Sequence, residues 1–468
     1  MIFHPENMKK AEGSFVFSGN VTAIAHPCLN KPVFCELWKN FTFQASTLTI
    51  SESDEYIFSV GNVEKLALDG NEYSIHIQPS GVCVYAADEK NLIRGFMTLL
   101  DRLQAIDQDG GIAIATDCCE IRDRAEVAFR AVHFCIFPET ELWELHRFIR
   151  FCAALKYTHI VLEFWGMLKY NCMKELAWSH GFTKEQIRPL IAEAKDLGVE
   201  IVPMFNHWGH ASACRVMHGK HVILDQNPTL QTYFSEDGWC WDIRKPKVRA
   251  LLREIRNELT ELCGEGSYFH IGCDEAYNFA FTEENMEMLS DFINEISREM
   301  NEKGRRVFVW GDMFLYRYDH YNPKNRYTCN APSPRVEEYF LSRLDKSIII
   351  ADWQYHAPEA PVETSAVFRK AGFDCVLCPW DCSASEVESC ITTAKESNLM
   401  GIMHTTWHTL SSGMLFVLFA AVKSFEKDSP LDKRAVRTYS AALMRKVMPA
   451  NGDYKKSGWA KYEIGVKW

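Results

Sequence analysis

The chain has 468 residues, more than one ordinary hydrophobic core can bury, and its 47% hydrophobic and 24% charged residues are typical of a soluble globular protein. The formal net charge of −11 and the lack of any lysine/arginine run argue against a nucleic-acid partner. No apolar stretch is long enough to cross a bilayer, and the N-terminus lacks the apolar segment of a secretory signal, so we expect a cytoplasmic protein without a membrane partner.

The 17 cysteines are odd in number and scattered, and many lie inside apolar runs, as Cys152 and Cys263 do. Cys375, Cys378 and Cys382 form the one cluster, but no fourth ligand or second pair accompanies them at a spacing that suits a metal. We therefore predict reduced, mostly buried thiols, and neither a metal nor another cofactor.

Residues 1–124 are predicted to form a small, non-catalytic α+β domain. The strand-like runs STLTI, YIFSV, YSIHIQ and GVCVYAA precede one helical run, EKNLIRGFMTLLDRLQ. A Pro-Ser-Gly turn at 79–81 separates two of the strands. One helix on a mostly antiparallel sheet is an α+β arrangement.

Residues 125–468 alternate between short apolar strands and helical segments. Eight strands are predicted: AFRAVHF, THIVLEF, VEIVPMF, YFHIGC, RRVFVW, SIIIADW, FDCVLC and MGIMHTT. Their Val, Ile and Phe content suits strands buried on both faces, and eight β–α units match a (β/α)8 TIM barrel, here with a further C-terminal helix. An open doubly wound sheet is the alternative, but no glycine-rich phosphate loop follows the first strand.

In such a barrel the chemistry belongs at the carboxyl ends of the strands. Polar and aromatic residues recur there, and structural caps do not require so many tryptophans. Indole faces suit a ligand with apolar CH surfaces and polar edges, which describes a sugar ring. The residues that we assign to these ends are, in strand order, Arg130; Glu163, Phe164 and Trp165; the Asn206–His210 segment; Asp274 and Glu275; Trp310 and Asp312; Asp352, Trp353 and Tyr355; Trp380 and Asp381; His404 and Trp407.

The segment YFHIGCDEAY, residues 268–277, is an apolar strand that ends in two adjacent carboxylates. Strand alternation puts Gly272 and Asp274 on one face, so Asp274 is expected at the last strand position, pointing into the barrel, with Glu275 just beyond. Adjacent acids are poor candidates for the usual glycosidase pair, which faces across a bond at about 5–9 Å. They favour a division of labour in which Glu275 protonates the leaving oxygen and Asp274 acts on the sugar. Helix capping is the alternative, but the next helix is predicted only from about residue 282.

The other candidates each have a structural alternative. His207 and His210 have the spacing of a metal pair, but we favour a pocket-lining His210 and a loop residue at His207. Arg130 is either an ion-pair partner, with Glu163 as a balancing charge, or a fork for sugar hydroxyls. Acids at strand ends, such as Asp312, often bond only to nearby backbone.

Several of these segments resemble glycoside hydrolase family 20, the β-N-acetylhexosaminidases. HIGCDEAY, residues 270–277, is similar to the family's His-x-Gly-x-Asp-Glu signature, and it looks closest to the hexosaminidase D-like branch, with its Cys-Asp-Glu-x-Tyr form. The segment that ends VEIVPMFNHWGHASA resembles the third-strand region, VFVWGDMF the Trp-x-Asp segment, and IIIADWQY a later pocket strand. The N-terminal unit resembles the α+β domain that often precedes the barrel.

The resemblance implies an exo-acting enzyme that removes terminal β-linked N-acetylglucosamine or N-acetylgalactosamine from an oligosaccharide or glycoconjugate. The substrate's own acetamido oxygen attacks C1, the substrate-assisted form of retaining catalysis. Glu275 would be the general acid and then the base, with a raised pKa, and Asp274 would hold the acetamido N–H. The substrate-binding residues expected are Arg130 on ring hydroxyls, His210 beside the acids, Trp310, Asp312, Trp353 and Trp407 around the ring, and Tyr355 on the acetamido carbonyl.

Two departures leave the choice between gluco and galacto substrates open. Many family members follow the first-strand arginine with an aspartate and a second arginine, where this chain has Cys135 and Pro138. Many also have Trp-x-Glu at the eighth strand, where this chain has Thr409 in place of the glutamate.

Three other functions stay open from the sequence. They are a carbohydrate-binding protein with an inactive pocket, a metal-dependent hydrolase that uses His207 and His210, and a two-carboxylate glycosidase that acts on unacetylated sugars. Aromatic residues in the C-terminal helices fit a homodimer or a buried core equally.

Overall fold

The computed structural model describes residues 3, 5, 7–51, 58–60, 68, 72–211, 224, 227–317, 323–407, 410–425 and 433–450. Thr409 and the first two residues of the predicted strand YIFSV lie outside this set. Among the described residues no helix combines the length and the apolarity that crossing a bilayer requires.

Within its described residues the N-terminal region holds two sheets, two α-helices and a short 3-10 helix (Pro27–Leu29). Its elements are β1 (Asn7–Phe17), β2 (Gly19–Ile24), α1 (Pro32–Phe41), β3 (Ser46–Ser51), β4 (Phe58–Val60), β5 (Glu72–Gln78), β6 (Gly81–Ala86), α2 (Glu89–Arg102), β7 (Gln104–Gln108) and β8 (Gly111–Arg124). The larger sheet has the order β1-β8-β5-β6-β4, with β7 paired to β8, while β2 and β3 form a separate parallel pair. Helix α2 packs on β5 and β6, and Asp88 caps it by accepting the Asn91 N–H at 2.8 Å.

The sequence prediction missed β1, β2, α1 and β7. Strand β1 is almost wholly exposed, so it carries no alternation of apolar and polar residues, and its backbone pairing with β8 holds it in place. Helix α1 is only ten residues long and begins at Pro32, and its order depends on buried contacts rather than on a long periodic pattern.

The eight predicted barrel strands are confirmed. They are β9 (Phe129–Cys135), β10 (His159–Glu163), β11 (Glu200–Met204), β12 (Tyr268–His270), β13 (Arg306–Trp310), β14 (Ile349–Trp353), β15 (Asp374–Cys378) and β16 (Gly401–Thr406). All pair in parallel with their sequence neighbours, and β16 pairs with β9 to close the barrel, which excludes the open doubly wound sheet. The surrounding α-helices for which the structure describes bounds are α3 (Leu142–Ala154), α4 (Lys184–Asp196), α5 (Pro246–Cys263), α6 (Glu283–Glu302), α7 (Pro334–Arg343), α8 (Thr364–Lys370), α9 (Ala384–Glu396), α10 (Leu410–Phe425) and α11 (Lys433–Lys446).

Side-chain alternation divides each barrel strand between two cores. On β9, Phe129 and Ala131 belong to the interior core, whereas Val132 and Phe134 pack outward against the helices. The other strands alternate in the same way: every second residue faces the barrel interior, and the residues between them face the surrounding helices. We call these the inward and the outward parity. This division decides below which polar residues reach the candidate site.

The N-terminal region and the barrel are joined by buried charge. Arg150 on α3 bonds to Glu36 of α1 at 2.8 Å and to Glu193 of α4 at 2.5 Å. Lys156, fully buried, lies 3.9 Å from the ring centroids of Phe3 and Phe425 and donates to the Tyr73 hydroxyl at 2.9 Å. The sheet ends at Arg124 and the barrel begins at Phe129.

Candidate active site

The two adjacent acids lie on a tight, left-handed turn after β12. The strand ends at His270, so the expectation that Asp274 occupies the last strand position is wrong. The backbone φ angles are +67° at Gly272, +79° at Cys273 and +49° at Glu275. The turn, rather than strand alternation, therefore orients the acids.

Two glycines permit this turn to pack against the loop after β11. A Cβ atom on Gly272 would lie 1.5 Å from Asn206 Oδ1, and one on Gly209 would lie 1.8 Å from the Asp274 carbonyl oxygen. Real side chains never approach so closely, and only glycine adopts the Gly272 conformation without strain. The spacing between the loops after β11 and β12 is thus set by these residues.

Three hydrogen bonds hold the main chain of Glu275 in its left-handed conformation. Its N–H donates to Asp312 Oδ2 at 3.0 Å. Its carbonyl accepts the Trp239 indole N–H at 2.6 Å and the Tyr277 N–H at 2.8 Å. A strained residue persists when its surroundings fix it this firmly, and such residues concentrate at functional sites.

His210 bridges the two carboxyl groups. Its Nε2 lies 2.8 Å from Glu275 Oε2 and 3.5 Å from Asp274 Oδ2. The Glu275 side chain is 26% exposed, whereas that of Asp274 is 7% exposed. The pair therefore offers one carboxyl group that opens to solvent and a second that lies deeper.

The deeper carboxyl group is set up to accept a hydrogen bond. Asp274 Oδ1 is buried and has no partner among the described residues, a costly arrangement that an N–H donor from a ligand would relieve. Burial raises the pKa of Asp274 to about 6, with the Glu275 and Glu163 carboxylates adding to the rise and His210 opposing it. Asp274 is thus charged at neutral pH.

Asp312 lies beside these acids as a support for them. Its Oδ1 accepts the Trp353 indole N–H at 3.0 Å, and its Oδ2 accepts the Asn330 amide at 2.8 Å as well as the Glu275 N–H. Burial raises the pKa of Asp312 to about 7, and the neighbouring Asp274 contributes. The Asp312 carboxyl group, which the sequence placed on the substrate, instead joins the loops after β12 and β13 to the end of β14.

Aromatic residues at the carboxyl ends of β14 and β16 contact one another, and Trp353 joins them to Asp312. The Trp353 and Tyr355 rings lie 4.8 Å apart, and the Tyr355 hydroxyl accepts the Trp407 indole N–H and the Thr405 hydroxyl, the latter at 3.1 Å. Trp310, fully buried, lies 5.7 Å from the Trp407 ring. Trp353, Tyr355 and Trp407 thus form a connected wall, with Trp310 packed beneath it in the barrel interior.

The structure contradicts the substrate-binding role expected for Arg130. This residue is the second of β9, at the amino end of the strand and on its outward face. Its guanidinium donates to the carbonyls of Val127 at 2.7 Å, Ala128 at 3.2 Å and Lys156 at 2.6 Å. Strand position and parity both place it away from the carboxyl ends of the barrel.

The positions of three other candidates from the strand ends also differ from the expectation. Asp352 and His404 have outward parity, and Asp352 accepts the Thr364 hydroxyl of α8 at 2.6 Å. Glu163 points inward but pairs with His133 at 2.9 Å and with the Asn206 amide at 2.9 Å rather than with Arg130.

His207 does not join His210. Its Nδ1 donates to the Phe205 carbonyl at 2.6 Å, and the ring is fully buried, 6.1 Å from the Phe269 ring in the outer core. Burial, with Arg256 adding, lowers the pKa of His207 well below its usual value. Within the described ranges no group of three His, Cys, Asp or Glu residues is arranged to hold a metal.

Sequence reasoning missed Trp239, a residue of the long loop after β11. Its ring lies 4.6 Å from that of His210, and it holds the Glu275 carbonyl. No periodic pattern marks a residue in a loop of this length, so only the tryptophan itself was a signal.

Comparison with known proteins places the barrel in a family of catalytic domains. Residues 161–407 match the model of the glycosyl hydrolase family 20 catalytic domain. A lacto-N-biosidase from Bifidobacterium bifidum is 22% identical over 240 residues, which are 47% of this chain and 18% of that protein. A β-hexosaminidase from Porphyromonas gingivalis is 22% identical over 152 residues, 29% of this chain and 19% of that protein. The chain thus spans about a fifth of the length of the curated relatives it matches.

Among solved structures, the GH20 exo-β-N-acetylglucosaminidase from Vibrio harveyi in complex with N-acetylglucosamine superposes with a TM-score of 0.70. The two chains are 15% identical, and the match covers 95% of this chain and 77% of the other. At this identity the likeness establishes the fold, the barrel with its preceding region.

Proposed function

Because the chain belongs to glycosyl hydrolase family 20, we propose that it is an exo-acting β-N-acetylhexosaminidase that uses substrate-assisted retaining catalysis. The substrate class is a glycan or glycoconjugate with a terminal β-linked N-acetylglucosamine or N-acetylgalactosamine. The observation that carries the proposal is the pair of unequal acids: Glu275, open to solvent, next to Asp274, whose buried Oδ1 lacks a hydrogen-bond partner among the described residues.

In the first step the acetamido oxygen of the sugar forms a bond to C1 while the bond between C1 and the leaving oxygen breaks. Glu275 gives its proton to that oxygen, and an oxazolinium intermediate is left on the sugar. In the second step the Glu275 carboxylate takes a proton from water and the water oxygen bonds to C1 while the bond between C1 and the acetamido oxygen breaks, which restores the acetamido group. Two displacements at C1 retain the β configuration.

Asp274 supports both steps by electrostatics. Its Oδ1 accepts the acetamido N–H, which turns the carbonyl oxygen toward C1, and its charge balances the positive charge that develops on the oxazolinium ring. Because the carboxylate is already buried and fixed by the Gly272 turn, little reorganisation is required when the charge appears. His210, 2.8 Å from Glu275 Oε2, holds the acid in place.

The wall formed by Trp353, Tyr355 and Trp407 fits the remaining face of the sugar. Indole faces pack against ring CH groups and exclude water, which strengthens the electrostatic contacts in the site. The Tyr355 hydroxyl is at hydrogen-bond distance from Trp407 and Thr405 and remains the proposed partner of the acetamido carbonyl.

A panel of aryl β-glycosides that differ only at C2 and C4 tests the proposal. The wild-type chain should hydrolyse the 2-acetamido compounds and leave the 2-hydroxyl compounds intact, and E275Q should lose turnover of a poor leaving group while still binding the sugar. Turnover of plain glucosides or galactosides would favour the two-carboxylate alternative, and binding without any turnover would favour a lectin-like protein. Activity that disappears on thorough chelation would favour a metal-dependent hydrolase.

The cytoplasmic location and the homodimer stay predictions. No disulfide joins the cysteines that the structure describes, in line with a reducing compartment. Cys375 and Cys378 lie in the outer and the interior core respectively, on opposite faces of β15.

A further inference from the structure

A cavity lies at the face of the barrel opposite the candidate active site, where the amino ends of β9 and β10 meet helix α2. Its volume is about 180 Å3, and its lining residues are Asp88, Lys90, Asn91, Arg94, Ala125, Ala128, Arg130, Thr158 and Phe425. A water molecule's share of liquid volume is about 30 Å3, so the cavity has room for several waters or for one tetrahedral oxyanion. The candidate active site lies at the carboxyl ends of the strands and shares no lining residue with it.

The lining carries three cations and one carboxylate, in a chain whose net charge is −11. The carboxylate, Asp88, is committed to helix α2, since its two oxygens accept the backbone and side-chain N–H groups of Asn91, each at 2.8 Å. Lys90, Arg94 and Arg130 form no ion pair within the part of the chain that the structure describes. The three cations of the lining therefore outnumber its one carboxylate, although the charge of Asp88 acts on Arg94 and opposes the lowering of its pKa by burial.

Each of the two arginines is held in place by the protein. Arg130 is fixed by bonds to backbone carbonyls and by Phe425, whose ring centroid lies 5.2 Å away. Arg94 donates through one nitrogen to Asn91 Oδ1 at 2.7 Å. Its remaining N–H donors form a rigid fork of the kind that matches the oxygens of phosphate or sulfate.

The surrounding titratable groups respond to this positive charge. Burial lowers the pKa of Arg130 to about 9, and the neighbouring Arg94 adds to the fall. Burial also lowers the pKa of His159, the residue after Thr158, to about 3, and Lys90, Arg94 and Arg130 each add to that fall. Asp123, whose charge acts on Arg130, is occupied by the Tyr73 hydroxyl at 2.5 Å and by Lys156 at 3.5 Å.

We propose that this cavity binds a small inorganic oxyanion, phosphate or sulfate, between helix α2 and the amino face of the barrel. The anion bonds to the free donors of Arg94 and to Lys90, with Arg130 behind them. Because the site joins the N-terminal region to the barrel, its occupation stabilises the folded chain without entering the hydrolytic reaction.

Thermal unfolding of the full chain at pH 7.5 and fixed ionic strength tests this site, with sodium chloride replaced stepwise by phosphate or sulfate. Both anions also stabilise proteins in general through exclusion from the surface, an effect that rises without saturation. The Tm of the wild-type protein should show a saturable rise in addition to this general effect. R94Q, which keeps the cavity but loses the charge, should bind the anion with an apparent affinity at least tenfold weaker. R188Q, on the exposed face of α4, is the matched control and should behave as wild type.

Identical, unsaturated curves for wild type and R94Q would overturn the proposal. If R94Q does not fold, K90Q replaces it, because Lys90 is exposed. Loss of the Lys90 charge should weaken the affinity for the anion at least threefold. Line broadening of the 31P signal of inorganic phosphate by wild type, reduced in either variant, provides direct evidence of binding. Tighter binding of glycerol 3-phosphate than of phosphate would overturn the assignment to a free ion. Hydrolysis of an aryl 2-acetamido glycoside should be equal in R94Q and wild type, so this test does not depend on the proposed function.

Discussion

Replacement of Asp274 by asparagine separates the two acids most sharply. The substitution keeps the size of the side chain but removes a buried charge, next to the position that we propose for the acetamido group. A hydrogen bond to a charged acceptor contributes about 1.5–3 kcal/mol. The attraction between unit charges about 4 Å apart is worth about 4 kcal/mol at the effective dielectric constant of protein sites. The oxazolinium ring carries only a partial charge in the transition state, so only part of this attraction is lost in D274N. Together with the weakened hydrogen bond, we expect D274N to lose about 4 kcal/mol of transition-state stabilisation, or about 10³-fold in kcat.

Leaving-group dependence distinguishes this loss from loss of the general acid. The assay compares kcat for an aryl 2-acetamido glycoside with a nitrophenol leaving group and for one with an alkyl alcohol leaving group. E275Q should be far more defective with the alkyl alcohol, which needs its proton, whereas D274N should be equally defective with both because Asp274 acts on the sugar. A D274N enzyme within tenfold of wild type on both substrates would refute the role assigned to Asp274.

Four further predictions follow from individual contacts. Burial raises the pKa of Asp274 to about 6, so protonation removes its charge below that pH and kcat/KM should fall as the pH drops from 7 to 5. A flat pH profile over this range would contradict the role assigned to the Asp274 carboxylate. D312A leaves the N–H donors of Glu275, Trp353 and Asn330 without their acceptor, at a cost of about 1–3 kcal/mol each. Urea unfolding should therefore show a free energy of unfolding lower by several kcal/mol, and kcat should fall as well; unchanged values would argue against a supporting role for Asp312. G272A should lower the free energy of unfolding by more than about 3 kcal/mol or prevent folding. G304A, at a glycine with a similar φ of +75° but open space around it, should lower it by only about 1 kcal/mol, and equal losses would show that the contact with Asn206 is unimportant. R130Q should lower the free energy of unfolding while it leaves KM unchanged, and a raised KM in a fully folded variant would restore Arg130 to the sugar site.

The barrel was predictable because its strands are buried on both faces. Near-continuous runs of Val, Ile and Phe, such as those in β10 and β14, carry that information in the sequence alone. The exposed β1 was not predictable in the same way, because its order comes from pairing with a strand more than one hundred residues later.

The candidate site was predictable only in part, and the errors share a cause. Arg130 and Asp352 were assigned to the site by their nearness to a strand, but parity turns both toward the helices. The acids were assigned correctly to the end of β12, although by alternation along a strand that in fact ends at His270. Positive φ angles at Cys273 and Glu275 have no signature in the residue types themselves, so the turn that orients the acids was hidden.

The central claim, that the substrate's own acetamido oxygen attacks C1 while Asp274 steadies the amide, is tested most directly by fluorinating the acetamido methyl group. Each fluorine withdraws electron density from the carbonyl oxygen and makes it a weaker nucleophile, with little change in size. The account predicts that kcat/KM of the wild-type chain falls steeply from the acetamido to the monofluoro-, difluoro- and trifluoroacetamido glycoside. A rate that is independent of the number of fluorines would contradict it, because a nucleophile supplied by the protein does not sense that substitution.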